Sequence, residues 1–157
     1  CRAALKHLYA DKTPVRGEIE VTVYGAPDDG VYGVAGQIFS FITGAAPSTG
    51  FKGLGPSFRR KDLLTYDKKS PDPEAMCFKF RRRDSGKAVL CKICHDGMPG
   101  LDFEKERRMG ELMSGVVGGT AGQAEASEFH RLWIENVMMI FESARGSNNW
   151  LKIEDVR

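Results

Sequence analysis

The chain has 157 residues, a formal net charge of +2 and an ordinary globular composition apart from its 18 glycines. This length is enough for one hydrophobic core, and we expect a single domain over residues 1–157. The small net charge does not indicate a nucleic-acid-binding protein. No apolar run approaches the roughly 18 residues that a membrane-spanning helix needs, and no signal peptide is visible. We therefore expect a cytoplasmic protein with no membrane or nucleic-acid partner.

The first half of the chain predicts a helix, a strand and a second helix. Residues 1–12 place Leu5, Leu8 and Tyr9 on one helical face. Because this segment reads as the middle of a helix, we expect the native N-terminal segment to be missing. Residues 18–24 alternate polar and apolar, which is typical of a half-buried strand. Residues 34–42 are nearly all apolar and predict a short buried helix.

The second half predicts a hairpin, two helices and a final strand. A short strand over residues 62–66 comes first. The turn Asp84-Ser85-Gly86 joins strands at 76–82 and 87–93. One register places a set of apolar side chains on the core face, namely Met76, Phe78, Phe80, Val89, Cys91 and Ile93. Amphipathic helices follow at 102–117 and 121–144, with Thr120 as the expected N-cap of the second, and a strand ends the chain at 150–156. The order predicts an α+β fold with an antiparallel or mixed sheet and packed helices.

A glycine-rich loop follows the second helix and carries a local excess of positive charge. Residues 52–87 hold 11 basic and 5 acidic side chains, a local +6, whereas residues 102–157 hold 7 and 10, a local −3. The loop has neither a P-loop nor a dinucleotide fingerprint. Backbone amides and basic side chains could still hold a small anionic ligand. Tight turns that need positive φ are the alternative explanation. The candidate anion-binding residues are Thr43, Gly44, Gly50, Lys52, Gly53 and Arg59.

The cysteines offer two candidate sites in the hairpin. Cys91-Lys-Ile-Cys94-His95 matches the haem-attachment pattern. However, residues three apart on a strand point to opposite faces, so no haem is expected. The predicted register places Cys77 directly opposite Cys94 on the outer face, where the two thiols could form a disulfide. With His95 they could instead provide three ligands for zinc or another divalent transition metal. Reduced free thiols explain the same residues.

Several short motifs, taken in order, resemble the FmdE family, named for a component of the enzyme formylmethanofuran dehydrogenase. They are Ile42-Thr43-Gly44, then Gly50-Phe51-Lys52-Gly53, the turn from Phe78 to Lys87, and Glu128-Phe129-His-Arg-Leu-Trp133. The resemblance implies an α+β core domain, often dimeric, with a metal site in some members. The family's Gly-His-x-Cys-Pro-Gly motif would lie before Cys1, and Ala45 stands where the family places a cysteine. The family's metal ligands are therefore not carried over to this chain.

Three functions follow as hypotheses. The first is an FmdE-like binding or accessory protein that could bind a metal or an anion, linked to one-carbon or redox metabolism. The second is a small thiol- or metal-dependent enzyme that uses Cys77, Cys94 and His95. The third is a structural dimerisation module, because the run Val137-Met138-Met139-Ile140 suits a core or a dimer face. For all three we expect a homodimer.

Overall fold

A computed structural model describes residues 1–48, 60–94, 102–143 and 150–156. These residues form four helices and one mixed five-stranded sheet, which confirms the predicted α+β class. None of the helices in these ranges has the length and apolar content to span a membrane. In chain order the elements are α1 Arg2–Tyr9, β1 Ile19–Val23, α2 Gly30–Thr43, β2 Leu64–Tyr66, β3 Met76–Arg82, β4 Ala88–Ile93, α3 Phe103–Val117, α4 Gln123–Ser143 and β5 Leu151–Val156.

The chain divides into two compact units. The first comprises Cys1–Cys94 and Leu151–Arg157, and it contains the sheet with α1 and α2. The second, His95–Trp150, contains the hairpin of α3 and α4. The single domain over residues 1–157 stays a prediction.

The sheet has the strand order β2-β1-β3-β4-β5. Strands β1 and β2 run parallel and are joined through α2, whereas every other pair is antiparallel. The predicted β3–β4 hairpin is confirmed, and Gly86 closes its turn with φ +72° and an amide that donates to the Arg82 carbonyl at 2.9 Å. The two edge strands differ, because β2 has three residues while β5 carries Lys152, Glu154 and Asp155.

The main core lies on one face of the sheet, beneath α1 and α2. The buried β1 side chains are the predicted ones, Ile19, Val21 and Val23. Phe39 of α2 contacts Phe78 and Phe80 of β3 edge to face, with ring centroids 5.1 Å apart in both pairs. Such contacts add about 1 kcal/mol each beyond the burial of apolar area. Alternation along the strands therefore predicted the core correctly.

The prediction that the second helix is buried was wrong. Helix α2 begins at Gly30, earlier than predicted, and its buried residues are Gly36, Phe39 and Thr43. A helix on a sheet buries only one stripe, and the opposite stripe of α2 is apolar yet exposed. That stripe consists of Val31, Val34, Ile38, Phe41 and Ile42, with Phe41 81% exposed.

The opposite face of the sheet carries a second, smaller buried cluster of Ala75, Cys77 and Leu90. Residues 67–75 precede β3, and the Asp72 carbonyl accepts from the Cys77 thiol at 3.8 Å. Lys92 of β4 forms ion pairs with Asp72 at 3.5 Å and with Glu154 of β5 at 3.1 Å. This loop is thus tied to the sheet, and Cys77 is fully buried, although its predicted position on the outer face implied contact with solvent.

The second unit is a helical hairpin. Asp102 is the N-cap of α3, where its carboxylate accepts from the amides of Glu104 and Lys105. Helix α4 begins at Gln123, so the predicted Thr120 cap was wrong. The Thr120 hydroxyl donates to the Gly115 carbonyl at 3.4 Å instead. Leu112 and Leu132 are the buried apolar residues of this hairpin within the described part of the chain.

Candidate functional site

The parallel β1–α2–β2 unit positions the candidate site. Asp29 is the N-cap of α2, where its carboxylate accepts from the Val31 amide at 3.4 Å. Gly36 allows α2 to approach β2 closely, because a Cβ at this position would lie 2.1 Å from the Tyr66 hydroxyl oxygen. The fold therefore fixes the distance between the helix and the edge strand.

Thr43 and Gly44 end α2. The Thr43 hydroxyl donates to the Phe39 carbonyl at 2.7 Å and accepts from the Ala45 amide at 3.1 Å, and the side chain is buried. Gly44 has φ +75° and is the left-handed C-cap, with its amide bonded to the Ser40 carbonyl. Both residues therefore have a structural role, and the Thr43 hydroxyl is already engaged by the protein.

Two arginine side chains converge on the Gly44 backbone. Arg16 Nε and Arg60 Cδ lie 3.3 Å and 3.4 Å from the position that a Cβ on Gly44 would take. Arg60 also covers Gly17, whose amide donates to the Thr43 carbonyl at 3.0 Å. Among the described residues, neither arginine forms an ion pair with a carboxylate. Both arginines therefore lack a carboxylate partner within that part of the chain.

The helix C-terminus offsets only part of this charge. A helix macrodipole places roughly half a negative charge at its C-terminal end, which favours nearby cations. Two guanidinium groups carry two full positive charges, because arginine stays protonated at any ordinary pH. An excess of positive charge therefore remains at this end of α2, and an oxyanion would neutralise it.

A groove of about 850 Å³ runs between α2 and the edge strand β2, beside the same helix end. Its walls are mixed. Phe41 and Tyr66 provide aromatic surface, and the polar lining residues are Gln37, Ser40, Ser48, Asp62 and Thr65. The size lies within the usual range for sites that bind small molecules. Burial raises the pKa of the Tyr66 hydroxyl, so it stays protonated at neutral pH.

The predicted anion site is only partly within the described residues. Gly50, Lys52, Gly53 and Arg59 lie outside them, and only Thr43 and Gly44 can be placed. The structure adds Arg16 and Arg60, which are 44 positions apart in the sequence and which the sequence reasoning did not select. The basic run at residues 59–61 was a signal for Arg60, but no sequence pattern links it to Arg16.

The predicted pairing of Cys77 with Cys94 was wrong by two residues. Cys77 is opposite Lys92, and Cys94 follows the end of β4. Diagonal strand neighbours have Cα atoms about 7–8 Å apart, beyond the usual range for a disulfide, and both thiols are free. Cys91 faces the main core, whereas Cys94 packs beside Cys77 on the other face of the sheet. This confirms the prediction that Cys91 and Cys94 point to opposite faces.

The metal site stays a prediction because His95 lies outside the described residues. Within residues 1–48, 60–94, 102–143 and 150–156, no group of three or more His, Cys, Asp or Glu side chains could hold a metal ion. Burial raises the pKa of the Cys91 thiol to about 11, so this cysteine is not a ready thiolate ligand or nucleophile at neutral pH.

Comparison with known proteins adds no relative: no family model, no curated protein and no solved structure matches this chain. The resemblance to the FmdE family therefore rests on the short motifs alone.

Proposed function

We propose that the protein binds a small organic anion at the end of α2. The acid group lies between Arg16 and Arg60, and the remainder of the ligand occupies the groove along β2. The observation that supports this most directly is the convergence of two arginines without a carboxylate partner among the described residues. Arginine is suited to this role, because its planar guanidinium can hold a carboxylate or phosphate through two parallel hydrogen bonds.

The groove defines the rest of the ligand. Phe41 and Tyr66 provide aromatic surface for an apolar or aromatic body, and Gln37 and Ser40 provide polar groups that could orient it. Asp62 would accept a hydrogen bond from a hydroxyl or amine of the ligand. We therefore expect an aromatic or branched organic acid or phosphate ester rather than inorganic phosphate alone.

Lys52 and Arg59 extend the same proposal. They lie between Ser48, which lines the groove, and Arg60, which belongs to the arginine pair, so both ends of their segment are at the site. If they contribute to anion binding, Lys52→Ala should weaken it. Unchanged affinity in Lys52→Ala would restrict the site to the arginine pair.

Isothermal titration with three probes tests the proposal. Phenyl phosphate carries the anion and an aromatic body, inorganic phosphate carries only the anion, and phenol carries only the body. We expect phenyl phosphate to bind most tightly and binding to weaken with added salt. Arg16→Gln and Arg60→Gln should each weaken phenyl phosphate binding about tenfold, the effect of losing one charge-assisted hydrogen bond.

Arg83→Gln is the control, because it removes one positive charge from the first unit at the β3–β4 turn, where Arg83 pairs with Glu20 at 3.8 Å. It should leave the affinity for phenyl phosphate unchanged. Equal weakening by all three variants would indicate non-specific charge attraction, and no binding of any probe by the unmodified protein would exclude the site.

The link to one-carbon or redox metabolism, and the enzyme that uses Cys77, Cys94 and His95, rest on sequence reasoning only. Metal analysis of protein purified without a histidine tag tests the metal site. A stoichiometric zinc or other transition metal that is lost in Cys94→Ser would support it, and metal-free protein would exclude it.

A further inference from the structure

We propose that α4 pairs in antiparallel fashion with α4 of a second copy of this chain. One side of α4 is occupied by α3. Leu132 is buried there, Glu128 binds Arg108 through two hydrogen bonds, and Glu135 pairs with Lys105 at 3.1 Å. These contacts fix which side of α4 faces its own hairpin and which side does not.

The side of α4 turned away from α3 is apolar and open. Trp133, Ile134, Met138 and Phe141 are 46%, 49%, 51% and 63% exposed. Their spacing keeps them on one face of the helix, about opposite Leu132. Two half-exposed aromatic and two aliphatic side chains form a patch of a few hundred Å² at least, the size that marks an interaction site on a soluble protein.

The charged residues beside this apolar stripe indicate that a second copy of α4 covers it. Arg131 and Glu142 are both exposed and lie along the same edge of the apolar stripe, about three turns apart. When two α4 helices pair antiparallel about the midpoint between these residues, Arg131 of each copy faces Glu142 of the other. In a parallel pair this edge would face the opposite edge of the partner helix, so Arg131 would not meet Glu142. The charged edge of the stripe is therefore complementary to itself in the antiparallel orientation.

The small area that two α4 helices can bury predicts a weak dimer. A single helix pair buries less than the roughly 1,200 Å² of a standard interface, so the dimer should dissociate on dilution. Sedimentation velocity on the full chain, over a hundredfold range of concentration, should show a reversible change from monomer to dimer. A monomer throughout this range would overturn the proposal.

Two glutamate substitutions locate the interface. Met138→Glu places a charge close to the two-fold axis, where it meets its own copy in an apolar contact, so the dimer should weaken at least a hundredfold. Ile38→Glu on α2 is the matched control, since Ile38 is 50% exposed on another apolar helix face. It should leave the dimer intact. Dissociation by Ile38→Glu, or a dimer that survives Met138→Glu, would overturn the assignment to α4.

A charge reversal tests the orientation. Arg131→Glu should weaken the dimer about tenfold, because it replaces two attractive exposed pairs by two repulsive ones. Adding Glu142→Arg to the same chain should restore the affinity. Circular dichroism of dilute protein checks α4 itself, since Arg131 also pairs with Glu135 at 2.7 Å within the helix. A double variant no tighter than Arg131→Glu alone would exclude antiparallel pairing.

Discussion

Thr43 joins the end of α2 to the chain that follows it. Its hydroxyl makes two hydrogen bonds in a buried position, one to the Phe39 carbonyl and one from the Ala45 amide. Thr43→Val keeps the shape of the side chain but leaves both backbone groups without this partner. We expect the free energy of unfolding to fall by about 1–3 kcal/mol, measured by urea denaturation.

Thr65→Val is the control for this prediction. Thr65 is exposed, and its hydroxyl bonds at 3.4 Å and 3.2 Å are long. This substitution should change stability by less than about 0.5 kcal/mol. Equal losses in the two variants would show that the Thr43 hydroxyl has no special structural role.

Cys91 should make stability depend on alkaline pH. Burial raises the pKa of its thiol from 9.0 to about 11, so the folded chain keeps a proton that the unfolded chain releases in this range. The free energy of unfolding should therefore fall as pH rises from about 9 to 11, by up to about 1.4 kcal/mol per pH unit. Below pH 9 this contribution is fully present.

Cys91→Ala isolates this effect. The variant is less stable at every pH because it loses packing, but its curve of unfolding free energy against pH should be shallower than that of the unmodified protein above pH 9. The two proteins differ only at residue 91, so the difference in slope is assigned to Cys91. Parallel curves would contradict the raised pKa.

Individual residues of the candidate site could be predicted only where a local signal exists. Gly44 follows an apolar helix, which is a usual position for a left-handed C-cap. The approach of Arg16 to Arg60 has no such signal, because it depends on how the turn at Gly17 and the end of α2 meet in space.

Two glycines, one in a turn and one in a helix, should respond in opposite directions to alanine. Gly86 in the β3–β4 turn has φ +72°, and Gly110 lies within α3; at both positions an added Cβ meets nothing within 4 Å. Gly86→Ala should cost about 1 kcal/mol, because alanine is strained in the left-handed region. Gly110→Ala should instead stabilise α3 by about 1 kcal/mol.

Thermal unfolding followed by circular dichroism measures both changes. Neither substitution alters packing, so backbone conformation alone accounts for the difference in sign. Destabilisation by Gly110→Ala would mean that a neighbour occupies the space beside α3.

Elements with strong local patterns were predicted well. Alternation identified β1, the Asp84-Ser85-Gly86 turn identified the hairpin, and Asp102 marked the start of α3. The predicted pairing of β3 with β4 was shifted by two residues. The reason is that residues 83–87 form the turn and stay outside the strand pairing. A shift of two keeps every side chain on its own face, so the core was correct while the partner of Cys77 was not.

The burial of α2 could not be read from its composition. An all-apolar helix predicts burial on every side, yet the sheet covers one stripe only, and the exposed stripe from Val31 to Ile42 depends on what lies beyond it. Local sequence does not contain that information.

At the scale of the whole molecule, the two units should differ in local stability. The sheet buries a continuous core, whereas the α3–α4 hairpin has only Leu112 and Leu132 buried among the described residues. Hydrogen exchange should therefore be slower in β1, β3 and β4 than in α3 and α4.

Hydrogen exchange at different protein concentrations provides a further test of this difference in local stability. If α4 pairs with a second copy, its amides should be better protected at high protein concentration, while those of β3 should not change. Protection of α4 that equals that of β3 at low concentration would contradict the weaker packing of the hairpin.

The edges of the sheet have a consequence for storage and expression of the protein. Exposed strand edges are the usual starting points for fibril growth. Here β2 offers only three residues to an incoming strand, and β5 carries Lys152, Glu154 and Asp155 along its length. Growth by strand addition is therefore disfavoured at both edges. When the protein is concentrated or heated, we expect amorphous precipitate formed through its apolar helix faces rather than ordered fibrils, which thioflavin fluorescence would distinguish.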